Sequence, residues 1–113
     1  MTIPVAASEL HAVLGRFASA ALITHSEPYV KVLTCDPTMD GDDVVVTPVR
    51  ESTVRNVHAD SHVTLIWQQH VHHGWTLIVD GVGQVEGERL RVAVASAMLH
   101  RPRSHADGPA WEG

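Results

Sequence analysis

Thr47-Pro-Val-Arg-Glu-Ser-Thr-Val-Arg-Asn-Val-His-Ala-Asp-Ser-His-Val-Thr-Leu-Ile-Trp67 reads as the end of one strand, a tight turn, a short helix and a second strand. Arg50, Ser52, Thr53 and Arg55 crowd the start of that helix. The first turn of a helix presents unpaired N–H groups and a partial positive charge, so it suits an anion such as a phosphate. Two arginines and two hydroxyls there form a candidate phosphate anchor. The plainer reading is a solvated helix start with Ser52 or Thr53 as an ordinary cap.

Outward from this block the chain reads as short strands. An amphipathic helix is expected from about Ala6 to Arg16, with Leu10, Val13, Leu14 and Phe17 on one face. Strands are expected over Ala20–Thr24, Tyr29–Cys35 and Asp43–Thr47, with a hairpin turn at Asp40-Gly41-Asp42. The helix then covers about Ser52–Ala59, and strands follow over His62–Gln68 and Trp75–Val85. Gly81 and Gly83 mark a bend or bulge in the last of these. From Arg89 to Leu99, Leu90, Val92 and Val94 alternate as in a strand, while Ala93–Met98 also suits a helix. The reading adopted is a sixth strand followed by a turn or short helix. Residues 102–113 are polar with Gly and Pro, and read as a flexible tail apart from docking of Trp111.

The 113 residues make one domain, 1–113. Valine-rich strands joined by hairpins, with a single helix between the third and fourth, point to a small antiparallel barrel, since closing a sheet removes exposed edges. A doubly wound parallel sheet would need a helix after nearly every strand. A net charge of −5 argues against non-specific nucleic-acid binding. Seven of the eight basic residues are arginine, which suits fixed contacts to phosphate or carboxylate. Cys35 is the only cysteine, so no internal disulfide forms and a cytoplasmic location is expected. No signal peptide or membrane span is read from the sequence.

Several motifs invite sharper readings. In an extended loop His70 and His72 would point to one side and could share an ion, but no nearby Cys or carboxylate completes a site, so no metal is expected. Asp80-Gly-Val-Gly83 lacks the third glycine of a dinucleotide loop, and the acidic run Asp36–Asp43 lacks the calcium-loop pattern. Cys35 with His25 could be taken for a nucleophile pair, although a buried thiol is the default. Trp67 and Trp75 read as core or interface residues.

The ordered set Asp40-Gly41-Asp42, Thr47, Glu51-Ser52-Thr53-Val54-Arg55-Asn56-Val57, Asp60-Ser61-His62-Val63-Thr64-Leu65, Leu77-Ile-Val-Asp-Gly-Val-Gly83 and Met98-Leu-His-Arg-Pro102 resembles the FMN-binding split-barrel family related to pyridoxamine 5′-phosphate oxidase, in its small bacterial members. The resemblance covers about Ala20 to Pro102. It implies a mainly β, antiparallel six-stranded split β-barrel with short helices, paired as a homodimer with two cofactor sites at the subunit interface. It implies phosphate contacts from Lys31, Thr47, Arg50, Ser52, Thr53 and Arg55. Val32, Leu33 and Thr34 would line the flavin ring, with Trp67 and Gln68 near its far side. The implied function is an FMN-dependent oxidoreductase acting on a small molecule, with no catalytic residue identified. The chain departs from the family at Glu51, where a Ser is usual, and at Thr53, where a Lys is usual. Arg50 or Arg55 could replace the missing charge. The departures keep two alternatives in view, a deazaflavin-dependent reductase on the same fold and a non-catalytic dimeric binding or stress-related module with a decayed cofactor site.

Overall fold

The computed structural model describes residues 1–112. In chain order the elements are β1 (Thr2–Pro4), α1 (Leu10–Leu14), β2 (Ala20–Thr24), β3 (Lys31–Cys35), β4 (Thr38–Asp40), β5 (Asp43–Val46), α2 (Glu51–Ala59), β6 (His62–Gln68), β7 (Thr76–Glu86) and β8 (Arg89–His100). A 3-10 turn at Ala7–Glu9 leads into α1, and another follows at Arg103–His105. The strands form one antiparallel sheet in the order β3-β2-β6-β7-β8-β5-β4, with β1 added to β8. Its two ends, β3 and β4, are not bonded to each other, so the fold is a split barrel. Among the described residues, no helix is long and apolar enough to cross a membrane.

Period-two patterning sets the inside of the barrel. Ala20 and Leu22 on β2, Val63, Leu65 and Trp67 on β6, and Leu77 and Val79 on β7 are buried together, with Leu90, Val92, Ala97 and Leu99 of β8 opposite them. Truncating any of the buried leucines to Ala would cost about 2–5 kcal/mol. Helix α2 lies on this core through Thr53 and Val57. Gly83 makes room for it, because a Cβ there would sit 2.9 Å from Leu90 and 3.3 Å from Val57. Helix α1 contributes Leu10, which is fully buried.

Two three-residue strands, β1 and β4, join the six that were expected. A larger difference lies in β8. The expected turn or short helix after the sixth strand is absent, and one strand runs from Arg89 to His100. Its register against β7 slips between Asp80/Gly81, where Asp80 faces Ser96 and Gly81 faces Val94, leaving Ala95 as the extra residue of a bulge. Gly81 is obligatory there, since a Cβ would lie 2.4 Å from the Ala93 carbonyl oxygen. Before the bulge β8 pairs with β5 on its other side, and after it with β1.

The segment read as a flexible tail folds back on the barrel. The Trp75 indole Nε1 donates to the Pro109 carbonyl at 3.0 Å, and Arg101 donates to the same oxygen at 2.6 Å. Trp111 stacks on Phe17 with ring centres 5.9 Å apart.

The acidic turn between β4 and β5 is a charge staple. Arg91 donates to Asp40 at 2.7 Å, to Asp43 at 3.2 Å and to Glu86 at 3.3 Å. The first of these bonds, with the Arg91 charge behind it, holds the Asp40 carboxyl below the ordinary carboxylate range. Gly41 supplies the left-handed conformation, φ +61, that the turn requires.

Candidate functional site

Helix α2 starts directly after the extended residue Arg50, whose carbonyl accepts the first helical bond, from Val54 N–H at 3.0 Å. The amides of Glu51, Ser52 and Thr53 therefore have no helical acceptor. Edge strand β3 runs past this helix start and brings Lys31 to it, where the ammonium donates a hydrogen bond to Ser52 Oγ. One turn further along α2, Asn56 donates to Thr24 Oγ1 at 3.1 Å and ties the helix to β2 beside Lys31. Asn56 also lines a neighbouring cavity of about 400 Å³, together with His25, Ser26, Glu27, Ala59 and Asp60.

Charge makes this corner distinctive. Among the described residues, Lys31, Arg50 and Arg55 form no ion pair with any carboxylate, whereas Arg89 and Arg91 are held by acidic side chains. Arg50 and Arg55 are exposed. Residues 51 and 55 are one helical turn apart, so Glu51 shares a flank with Arg55. Three cations, a hydroxyl and free helix amides at the helix start, set against Glu51 there and Glu27 and Asp60 in the neighbouring cavity, can receive a phosphate monoester.

The expected site residues divide sharply. Lys31 and Ser52 meet, with Arg50 and Arg55 alongside in sequence and exposed. Thr53 points the other way: it is 1% exposed on the buried side of α2, and its Oγ1 has no hydrogen-bond partner among the described residues. Thr47 Oγ1 lies 3.5 Å from the Glu88 carbonyl oxygen, in the turn of the β7–β8 hairpin. On β3 the alternation separates the expected ring contacts. Val32, 58% exposed, and Thr34 face outward, while Leu33 lies on the inner face opposite Leu22. Trp67 is 1% exposed inside the barrel, so it presents no surface to a ligand. Gln68 is exposed, its Oε1 accepting from Thr76 Oγ1 at 2.5 Å.

His25 and Cys35 lie at opposite ends of the β2–β3 ladder, since Thr24 pairs with Lys31 and Ala20 with Cys35. Burial, aided by the neighbouring Asp36 carboxylate, pushes the Cys35 thiol up to about 11. A thiol with so little thiolate at neutral pH is a poor nucleophile.

A surface that sequence reading did not single out is the outer face of the sheet. Thr34, Ala21, Ile66, Ile78 and Met98 form one row across β3, β2, β6, β7 and β8. Val32 and Ile23 begin the adjacent row. The aliphatic residues on it are only partly buried, and Tyr29, Val30 and Val32 at its edge are exposed by 80%, 54% and 58%. The signal was available in β2, whose outward positions Ala21 and Ile23 are also apolar, and in Val32 of β3 and Ile66 of β6.

No protein-family profile matches the chain, and no curated protein matches it. Solved structures do. A Listeria innocua protein provisionally described as a pyridoxamine 5′-phosphate oxidase superposes with a TM-score of 0.68 at 10% identity, over 82% of this chain and 96% of that one. An FAD binding protein from Mycobacterium smegmatis gives 0.66 at 18% identity, over 89% and 99%. An F420 reductase gives 0.60 at 15% identity, over 78% and 94%. At these identities the likeness establishes the split-barrel fold.

Proposed function

We propose that this chain is a flavin-binding redox protein, with FMN as its cofactor, acting as an oxidoreductase on a small molecule. The observation that carries the reading is the contact between Lys31 and Ser52 at the open first turn of α2, with two further unpaired cations beside it. Lys31, Arg50 and Arg55 would balance the phosphate charge, and Ser52 with the free amides would fix its oxygens. Lys31 and the exposed Val32 and Thr34 lie on opposite faces of β3, but β3 is an edge strand, so a ligand held at Lys31 would pass round it to a partly apolar surface for the ring. When bound, the flavin supplies electron or hydride transfer at its ring. The protein's part is to hold the phosphate, exclude water from one ring face and orient the edge.

A single chain leaves that ring surface open, and the outer sheet row leaves aliphatic side chains partly uncovered. A homodimer packed on this face would cover both, which is the assembly we propose. The lone Cys35 is consistent with a reducing cytoplasm.

Titration with FMN, followed by quenching of its fluorescence, tests the reading. Saturable binding that Arg50→Ala weakens supports it, and sedimentation equilibrium should give a dimer. A second reading, a deazaflavin-dependent reductase, is favoured by the likeness to the F420 reductase and by Thr53 standing where a lysine is usual. Tight binding of a deazaflavin with none of FMN would select it. Failure of both ligands to bind would leave the non-catalytic module, whose support is Glu51 at the helix start.

A further inference from the structure

The β6–β7 loop and the segment after Pro102 meet at the end of the barrel away from the α2 corner. His73 and Asp107 are 34 residues apart in sequence, yet His73 Nδ1 lies 2.5 Å from Asp107 Oδ1. His72 Nε2 lies 3.4 Å from the other oxygen of the same carboxylate. The His72 and His73 rings stack with centres 3.7 Å apart, and His105 stacks on the far side of His73 at 3.9 Å, tilted by only 2°.

The frame around this cluster is built rather than loose. Arg101, 5% exposed, lies 4.2 Å over the Trp75 ring and donates to the Pro109 carbonyl, so it fastens the returning segment to the barrel. Gly108 passes so close to His73 that a Cβ would lie 2.1 Å from its carbonyl oxygen. His73 itself has φ +53, and it is the only non-glycine residue with a positive φ among the described residues. A side chain held in that region costs about 1–3 kcal/mol and persists only where its surroundings enforce it. Here the enforced conformation aims an imidazole at a carboxylate from a distant segment.

We propose that His72, His73 and Asp107 form a binding site for a divalent transition-metal ion, with Zn²⁺ as the best-suited occupant. Their ligand atoms lie within 4.8 Å of one another. Zinc held at about 2.0–2.2 Å by N and O ligands in a tetrahedron needs ligand atoms about 3.3 Å apart, so side-chain adjustments of order 1 Å close the site. Two imidazoles and one carboxylate suit Zn²⁺, Co²⁺ or Ni²⁺ better than Ca²⁺ or Mg²⁺, which prefer all-oxygen sets. Three protein ligands leave a fourth position for water. His105 acts as a positioning residue, its ring fixing the plane of His73. His72 and Asp107 are exposed, so an ion can reach them from solvent. The ion would clip the chain end to the β6–β7 loop.

The test uses untagged full-length protein stripped with EDTA and titrated with Co²⁺, read by its visible ligand-field absorption. The expected result is a saturable tetrahedral spectrum with one Co²⁺ per chain, displaced by Zn²⁺. Asp107→Asn and His72→Gln, both at exposed positions, should weaken binding by more than about tenfold while leaving the near-UV circular dichroism unchanged. His62→Ala removes the other His–Asp pair, His62 with Asp60, and should leave the titration as in the wild type. The absence of a saturable spectrum, or equal binding by Asp107→Asn and the wild type, or loss of binding in His62→Ala, would each overturn the assignment.

Discussion

Lys31 on the edge strand β3 donates a hydrogen bond to Ser52 in the first turn of α2, so a cation from the sheet is presented at the positive end of a helix. Two positive features side by side repel each other unless an anion sits between them. Lys31→Ala should therefore weaken FMN binding by about 10–100-fold, the worth of a hydrogen bond to a charged group. Riboflavin, which lacks the phosphate, should bind Lys31→Ala and wild type alike. Fluorescence titrations of both ligands check this, and an equal loss for riboflavin would remove Lys31 from the phosphate site.

Thr53 gives a prediction of the opposite kind. Its hydroxyl is buried without a partner among the described residues, and Val has nearly the same shape. Thr53→Val should raise stability by about 1–3 kcal/mol, the cost of an unsatisfied buried polar group. FMN affinity should not change. A fall in affinity in Thr53→Val would mean that the hydroxyl turns to the ligand.

The two glycines Gly81 and Gly41 should respond unequally to alanine. At Gly81 the new Cβ meets a backbone carbonyl at 2.4 Å, which neither strand can relieve without losing register. Nothing lies within 4 Å of a Cβ at Gly41, where only the φ of +61 resists. Urea unfolding should show Gly41→Ala costing about 1–2 kcal/mol and Gly81→Ala clearly more. The reverse ranking would contradict the placement of the bulge.

The Arg91 staple predicts how stability depends on pH. The Asp40 carboxyl is held below its ordinary value, first by the Arg91 hydrogen bond and then by its charge. A carboxylate with a depressed folded-state pKa contributes stability that is fully present above the unfolded value, about 4, and is lost as pH falls through the lower folded value. The wild type should lose more stability than Arg91→Ala as pH falls below about 4. Parallel pH profiles of the urea midpoint for the two proteins would show that Arg91 does not hold Asp40.

Much of this architecture was legible in the sequence. Ala20–Thr24 and His62–Gln68 were bounded correctly because their alternation is clean and turn residues flank them. The continuation of β8 was hidden by its own bulge. Ala95 adds one residue, the alternation changes phase, and Ala93–Met98 then mimics a helical face. Strand β1 carries no local signal, since Thr2 acquires its partner from His100 at the far end of the chain. Within the site, Ser52 could be placed at the helix start from the sequence and Lys31 beside it only through the family resemblance, while their contact is a property of the fold. Which way Thr53 faced could not be read, because a hydroxyl serves a helix start or a buried face equally well. The sequence pattern drew attention to His70 and His72, but the structure groups His72 with His73 and Asp107, a carboxylate from a segment whose composition resembles a tail.

The hairpin of β7 and β8 joins strands of 11 and 12 residues through the short connection at Gly87 and Glu88. Its loop closure therefore carries little entropic cost, while its ladder gathers Leu77, Val79, Leu90 and Leu99 into one apolar surface. Low closure cost and large burial coincide here as they do nowhere else in the sheet, which makes this hairpin the natural nucleus for folding, with β6 and β5 condensing onto its two flanks. Substitutions at Val79 and Leu90 should slow refolding, whereas those at Leu22 or Leu33 should chiefly speed unfolding. A stopped-flow series with the opposite partition would place the nucleus in β2 and β3 instead.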